Sequence, residues 1–455
     1  MSPEEFRQFG HQTVDWMADY LAGIREYPVL AQVEPGDLTA ALPASAPETG
    51  EPMERILEDF RRLIVPGITH WNHPRFLGYF AISGSPPGIL AEMLVAALNV
   101  NGMLWKSSPA VTELEQAALG WLRQWLGLPD EFFGVIYDTA STSTMHAVAA
   151  AREMAGSPRG PLTLYCSEHA HSSVDKAALT IGIAKANIRK IPADGEFRLI
   201  PRALAEAVEA DSRAGLHPFC AVATVGTTAT ASVDPVADVV EIAEKHGMWV
   251  HVDAAYGGAA AIVPGRRDLL AAAGRAHSLV MNPHKWLLTP VDLSAFYTRR
   301  PDVLRAAFSL IPEYLRTRED PRAVNLMDYG MQLGRRFRAL KLWFVMRYYG
   351  REGLAAIVAE HCRLALLFAG WVRADARFQV CAPVHFSLVC FRYRGSNQEN
   401  QRLLDRLNAS GLALLSHTVL NGEFVLRLAI GNWRTSEDDL RLVWDKIREL
   451  ASAGG

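Results

Sequence analysis

The stretch Met281-Asn282-Pro283-His284-Lys285-Trp286 decides how the chain is read. It follows one apolar run, Ser278 to Met281, and precedes another, Leu293 to Tyr297, so Lys285 falls just past the carboxyl end of an expected strand. Open α/β sheets bind their ligands at that end. A lone lysine is ordinarily a solvated surface charge. Here apolar and aromatic flanks shield the ammonium, and desolvation lowers a lysine's pKa toward the range where the free amine forms a Schiff base. Upstream, Val250-His251-Val252-Asp253-Ala254-Ala255-Tyr256 is a second apolar run, delivering a carboxylate into a small-residue turn. A lysine and an aspartate on two strand ends are the pair that pyridoxal phosphate (PLP) requires. The amine holds the aldehyde as an imine, and the carboxylate keeps the pyridine nitrogen protonated.

Outward from this pair, strand and helix signals alternate. Strands are expected at Leu162–Cys166, Ile188–Ile191, Phe219–Val225, Met248–Asp253, Ser278–Met281 and Leu293–Tyr297, with helices between them at Pro201–Ala214 and Pro235–His246. That order implies a largely parallel sheet with helices on both faces. Before it, Gly134-Val135-Ile136-Tyr137-Asp138-Thr139-Ala140-Ser141-Thr142-Ser143-Thr144 runs into an alanine-rich helix. Its hydroxyls read equally as a simple helix cap and as an anion site. A PLP lysine downstream tips the reading to phosphate.

The 455 residues, 49% hydrophobic and 21% charged, fit a soluble protein of two or three domains. The net charge of -3 argues against nucleic acid as a partner. Five cysteines without CxxC or zinc spacing imply reduced thiols and a cytoplasmic location. No run approaches the roughly 18 apolar residues of a membrane span, and acidic residues near the amino terminus argue against a signal peptide. Three segments are expected: residues 1–85, helical and dimer-forming; 86–360, the large PLP-binding domain; and 361–455, a small α+β domain. Ser2-Pro3-Glu4-Glu5 opens the first helix as a capping box. His70-Trp71-Asn72-His73 tempts a metal reading, but two histidines without a further clustered ligand fit aromatic packing better, and no metal is expected. Gly334-Arg335-Arg336-Phe337-Arg338 is expected to open a long helix, with its arginines as an ion-pair patch.

With these motifs in order, the sequence resembles the aromatic-L-amino-acid decarboxylases, group II PLP-dependent enzymes of the aspartate-aminotransferase fold (fold type I). Val33-Glu34-Pro35-Gly36, Pro66-Gly67-Ile68-Thr69-His70-Trp71, Ser108-Pro109-Ala110-Val111-Thr112-Glu113-Leu114-Glu115, Ala170-His171-Ser172-Ser173-Val174, His251–Tyr256, Asn282–Trp286 and Leu333–Arg338 carry the likeness over nearly the whole chain. The resemblance implies a catalytic set of Lys285, Asp253, His171 stacked on the cofactor ring, and Tyr329 as the acid that protonates Cα after carbon dioxide leaves. Thr228 and Ala255 would line the cofactor, while Thr139, Ala140, Ser141, Asn282 and His284 complete its site and its phosphate cradle. Trp71, Tyr79, Phe80, Asn101, Met103 and Gly334 would meet the substrate, some crossing from the second subunit of a homodimer. The substrate implied is tryptophan, phenylalanine, tyrosine or a hydroxylated derivative. The alternatives are an aldehyde synthase on the same scaffold and decarboxylation of histidine or glutamate. The chain departs from the family pattern in a shortened stretch after Tyr329, with Met331 where tryptophan is usual. It departs again at Asp138, Thr142 and the pocket residues Ala81, Ile82, Asn101 and Met103.

Overall fold

Runs such as Cys220-Ala221-Val222-Ala223 are apolar at every position rather than at alternate ones, the mark of a strand covered on both faces. The computed structural model describes residues 1–156, 158, 160–310 and 322–452, and these form two compact units. One unit gathers Met1–Ala81, Gly370–Cys381 and Phe391–Gly455; the other comprises Ile82–Ala369 and Ala382–Cys390. Sequence had suggested boundaries at 85/86 and 360/361, against unit limits at Ala81/Ile82 and Ala369/Gly370.

The second unit is built on seven strands: β1 (Phe133–Tyr137), β2 (Leu162–Ser167), β3 (Ile188–Ile191), β4 (His217–Thr224), β5 (Trp249–Asp253), β6 (Ser278–Met281) and β7 (Ser294–Thr298). Their order is β1-β7-β6-β5-β4-β2-β3. Strands β2 to β6 are mutually parallel, while β7 runs antiparallel to both β6 and β1. The carboxyl ends of β4, β5 and β6 therefore open on one side of the sheet, and Asp253 and Lys285 emerge there.

Three helices of this unit matter to that edge: α1 (Pro86–Leu98), α2 (Pro109–Leu126) and α3 (Ala140–Ala155). Thr139 caps α3 by accepting from the Thr142 N–H, and Ser143 Oγ meets Ser294 Oγ on β7 at 2.7 Å. A fourth helix, α4 (Ala339–Ala374), starts later than expected, because residues 334–338 are irregular. By length and composition α4 could cross a membrane, which corrects the reading that no run approaches a span. Half of its apolar stretch is buried in the protein, as in a core helix, and Gly350 breaks it at φ 64°.

The first unit holds a five-stranded sheet, all of it but Leu388–Cys390, ordered Phe76–Leu77, Leu414–Leu420, Glu423–Ala429, Leu388–Tyr393 and Phe378–Val380. Its opening helix, Pro3–Ala22, begins with the expected capping box between Ser2 and Glu5. Trp16, Tyr20, Tyr27, Phe60 and His70 pack ring against ring, and the Tyr20 hydroxyl lies 2.8 Å from His70 Nδ1. Among the described residues no three His, Cys, Asp or Glu side chains group as a metal site.

Candidate active site

Asp253 ends β5, held at backbone and side chain: Val225 N–H donates to its carbonyl at 2.8 Å and Ala255 N–H to its Oδ1 at 3.1 Å. Asn282 N–H donates to the Ala255 carbonyl at 3.1 Å, which ties the lysine turn to the aspartate turn. Lys285 then sits in the single helical turn Pro283–Trp286. Burial lowers its ammonium below the ordinary lysine pKa, opposed by the Asp253 carboxylate. His171 feels the same pair: burial pulls its pKa down, Asp253 raises it and Lys285 lowers it. The structure thus brings Lys285, Asp253 and His171 together. Ser173 N–H donates to His171 Nδ1 at 3.1 Å, so the neutral ring carries its proton on Nε2.

The lysine turn is held by rings. Trp286 stacks on Tyr256 at 4.7 Å, and its indole N–H donates to His361 Nδ1 at 2.9 Å. Behind Asp253 runs a chain that sequence reading missed. The Trp249 indole donates to Ser278 Oγ at 2.9 Å, and that hydroxyl lies 2.9 Å from His251 Nδ1. His251 Nε2 then faces Thr144 Oγ1 on α3 at 3.4 Å. A histidine inside an apolar strand run was the signal available.

Asn282 and His284 test whether the residues suit a phosphate. Leu293 N–H donates to His284 Nδ1 at 2.9 Å, so the neutral ring must donate from Nε2, which lies 3.3 Å from the Asn282 amide. The amide oxygen belongs on that side. The other amide position, buried and without a partner, is then an NH₂ donor awaiting an acceptor. Across the edge, α3 presents its first N–H groups, which have no intrahelical acceptor. Met281 and Ile136 both pair with Ala295, so Asn282 and the Asp138–Ser141 turn flank the same end of β7. The donor set fits a phosphate. Ala255 is buried beside Asp253, while Thr228 is exposed on the turn after β4.

The expected substrate residues fall into two groups. In the first unit Trp71 stacks on Phe76 at 4.2 Å and faces Tyr79 at 5.7 Å, and Phe80 lies under Arg427. In the second unit Asn101 Oδ1 accepts from Arg335 N–H at 2.9 Å, and a Cβ at Gly334 would meet Asn101 Nδ2 at 3.7 Å. Met103 joins that group through its carbonyl, which accepts from Met327 N–H at 3.1 Å.

The arginines pair as expected, Arg335 with Glu115, Arg336 with Glu92 and Arg338 with Asp292, but they precede the helix, and Arg335 is buried, donating to Glu115 Oε1 at 2.7 Å and to the Ile136 carbonyl at 2.8 Å. Tyr329 packs its ring on Phe133 at 4.7 Å, and its carbonyl accepts from the Tyr137 hydroxyl. Phe133 opens β1 opposite Thr298, whereas Tyr137 closes it opposite Ser294, next to the Asp138–Thr139 turn. The Tyr329 ring thus packs against the apolar cluster under α3.

The profile of the pyridoxal-dependent decarboxylase conserved domain matches residues 35–394. The chain is 42% identical to an aromatic-L-amino-acid decarboxylase of Bos taurus, covering 99% of this chain and 97% of that one. It is 40% identical to a phenylacetaldehyde synthase of a Rosa hybrid cultivar, covering 100% and 95%. Among solved structures, Oryza sativa TDC with PLP and tryptamine superposes with a TM-score of 0.97 at 37% identity, covering 100% of this chain and 99% of that one.

Proposed function

The chain belongs to the pyridoxal-dependent decarboxylases, and from that premise we infer that it converts aromatic L-amino acids to arylalkylamines and carbon dioxide. The substrates proposed are tryptophan, phenylalanine, tyrosine or hydroxylated derivatives. The observation that carries the reading is the meeting of Lys285, Asp253 and His171 at the open end of one sheet.

Bound PLP supplies an electron-withdrawing ring that takes up the electrons released as the carboxylate leaves. Lys285, its ammonium destabilised by burial, offers a neutral amine to the aldehyde. Asp253 presents a fixed acceptor that keeps a proton on the ring nitrogen. His171 offers a flat ring whose Nε2–H is a donor. The Asn282 amide, with Thr139, Ala140 and Ser141 at the start of α3, holds the phosphate. Trp71, Tyr79 and Phe80, and separately Asn101, Met103 and Gly334, are proposed to meet the substrate, some of them from a partner subunit.

A homodimer is proposed on the exposed apolar stripe Leu90, Met93, Leu94 and Leu98 of α1, which a second copy would cover. Sedimentation of an active monomer at dilute concentration would remove it. A cytoplasmic location is proposed because none of the five cysteines, all among the described residues, forms a disulfide. An aldehyde synthase stays as a second reading on the likeness to the Rosa relative, with Tyr329 arguing against it because such enzymes often carry phenylalanine there.

The test measures carbon dioxide, amine, aldehyde and peroxide over tryptophan, tyrosine, phenylalanine, their hydroxylated derivatives, histidine and glutamate. Lys285→Ala should lose the imine absorbance and at least about 10²–10⁴ of the turnover, the scale for a group acting at the reacting centre. An Ala variant that stays yellow and decarboxylates normally overturns the reading.

A further inference from the structure

The turn that should receive the cofactor's phosphate already holds an anion of its own. Asp138 lies between β1 and α3, and its Oδ1 accepts from the Thr139 N–H at 2.5 Å and from the Thr139 hydroxyl at 3.3 Å. The Thr139 N–H is thus committed to a carboxylate, and its hydroxyl lies between that carboxylate and Thr142 Oγ1, at 3.4 Å. Thr139 Oγ in turn accepts from Thr142 N–H at 3.5 Å. Among the described residues no arginine or lysine pairs with Asp138; the nearby ring that senses it, His146, is buried and neutral. Across the edge, the buried Asn282 amide position without a partner is independent of this turn and asks for an anion.

We infer that Asp138 sets the affinity for the cofactor's phosphate by competing with it for the Thr139 donors and repelling its charge. The inference rests on the PLP reading of this site. A dianion entering here must displace the carboxylate from Thr139 or accept a like charge within a few ångströms, in a partly buried site where Coulomb repulsion is weakly screened. Cofactor retention would then be looser than the donor set alone provides, and the protein would exchange cofactor with the free pool. Replacement by asparagine keeps a carbonyl oxygen for the Thr139 N–H and removes only the charge.

The test titrates the apoprotein and Asp138→Asn with PLP, following imine absorbance, and in parallel with pyridoxal, which has the aldehyde but no phosphate. Inorganic phosphate serves as competitor. The expected result is PLP binding tightened by about tenfold or more in Asp138→Asn, pyridoxal binding unchanged, and inorganic phosphate competing at lower concentration. Asp138→Gly should shift PLP binding in the same direction. Three outcomes overturn the inference: PLP affinity unchanged, PLP affinity weakened, or PLP and pyridoxal improved equally, which would make Asp138 a structural residue. If the parent protein forms no imine with either aldehyde, the reading of the site has failed, and the inference with it.

Discussion

The carboxyl end of the large sheet and the stretch 322–338 lie in the same unit and are built by opposite means. At the sheet edge, Asp253 and Asn282 are fixed by backbone bonds that extend the strand ladders, and every neighbour arrives with the strands. The stretch 322–338 has one short 3₁₀ turn, Leu326–Tyr329, and is fastened mainly by side chains reaching elsewhere. His146 Nε2 accepts from Met331 N–H, Arg335 reaches Glu115, and Asn101 caps the Arg335 N–H. A site carried on strand ends inherits its precision from the sheet. A site carried on such a stretch depends on a handful of contacts, each open to replacement.

If chemistry belongs to the first region, its variants should cost most. Asp253→Asn removes the charge while preserving shape, so imine absorbance should persist while kcat falls about 10²–10³-fold, the scale for loss of one preorganised electrostatic partner. Stopped-flow spectra with steady-state carbon dioxide release separate the two effects. A variant with parental kcat would move the electrostatic centre away from β5 and break the comparison.

The second region should instead adjust selectivity. Gly334 is exposed, and an added Cβ would approach only Asn101 Nδ2, at 3.7 Å, so serine fits without moving backbone. Gly334→Ser should shift the preference from tryptophan toward phenolic substrates by about 1–3 kcal/mol in kcat/KM, the scale for small changes in a pocket. An unchanged tryptophan-to-tyrosine ratio would take Gly334 out of the pocket.

These differences also explain what sequence could reveal. Apolar runs located β2 to β7 to within a few residues, and the motif around Lys285 named the chemistry, because burial on both faces leaves a continuous apolar signature. Direction leaves none, so β7 running antiparallel was invisible. The arginines at 335–338 looked like a helix start because period alone does not show that Glu115, far away in sequence, will bury one of them. Tyr329 was placed by likeness to a mobile loop, yet Phe133 gives its ring an apolar seat that no local pattern announces.

A smaller effect follows from pH. Burial pushes His146, His251 and His284 down to about 4. Below the ordinary imidazole value near 6.5 an unfolded chain binds protons that the folded chain refuses. Stability should therefore fall as pH drops from about 6.5 to about 4 and level off beneath, each ring contributing up to ~1.4 kcal/mol per pH unit. Urea unfolding of the parent and of His251→Gln at pH 7 and pH 5 isolates one ring. The variant's pH slope should be shallower, and equal slopes would show that His251 is protonated in the fold.

The smallest effect is expected where likeness had placed the acid. Burial raises the Tyr329 phenol pKa, opposed by Arg305. Its ring touches Phe133 and the cluster under α3, and phenylalanine keeps all of that. Tyr329→Phe should therefore change stability by less than about 0.5 kcal/mol, and its product ratio tests whether the phenol is the acid that the resemblance implies. Tyr329→Ala, which empties the seat, should destabilise by about 1–3 kcal/mol. Amine, aldehyde and peroxide measured with and without oxygen decide the matter. A silent Tyr329→Phe directs the search for the acid to His171, whose Nε2–H is already a donor, and to Tyr314. That residue is the one other tyrosine between Tyr297 and Tyr348, and it lies outside the described residues. A Phe variant that still releases carbon dioxide but yields aldehyde, ammonia and peroxide in place of amine would return the proton to Tyr329. The stretch 322–338 would then have to leave Phe133 and reach the sheet edge during turnover, and the division between a chemical sheet end and a selectivity-setting loop would fail.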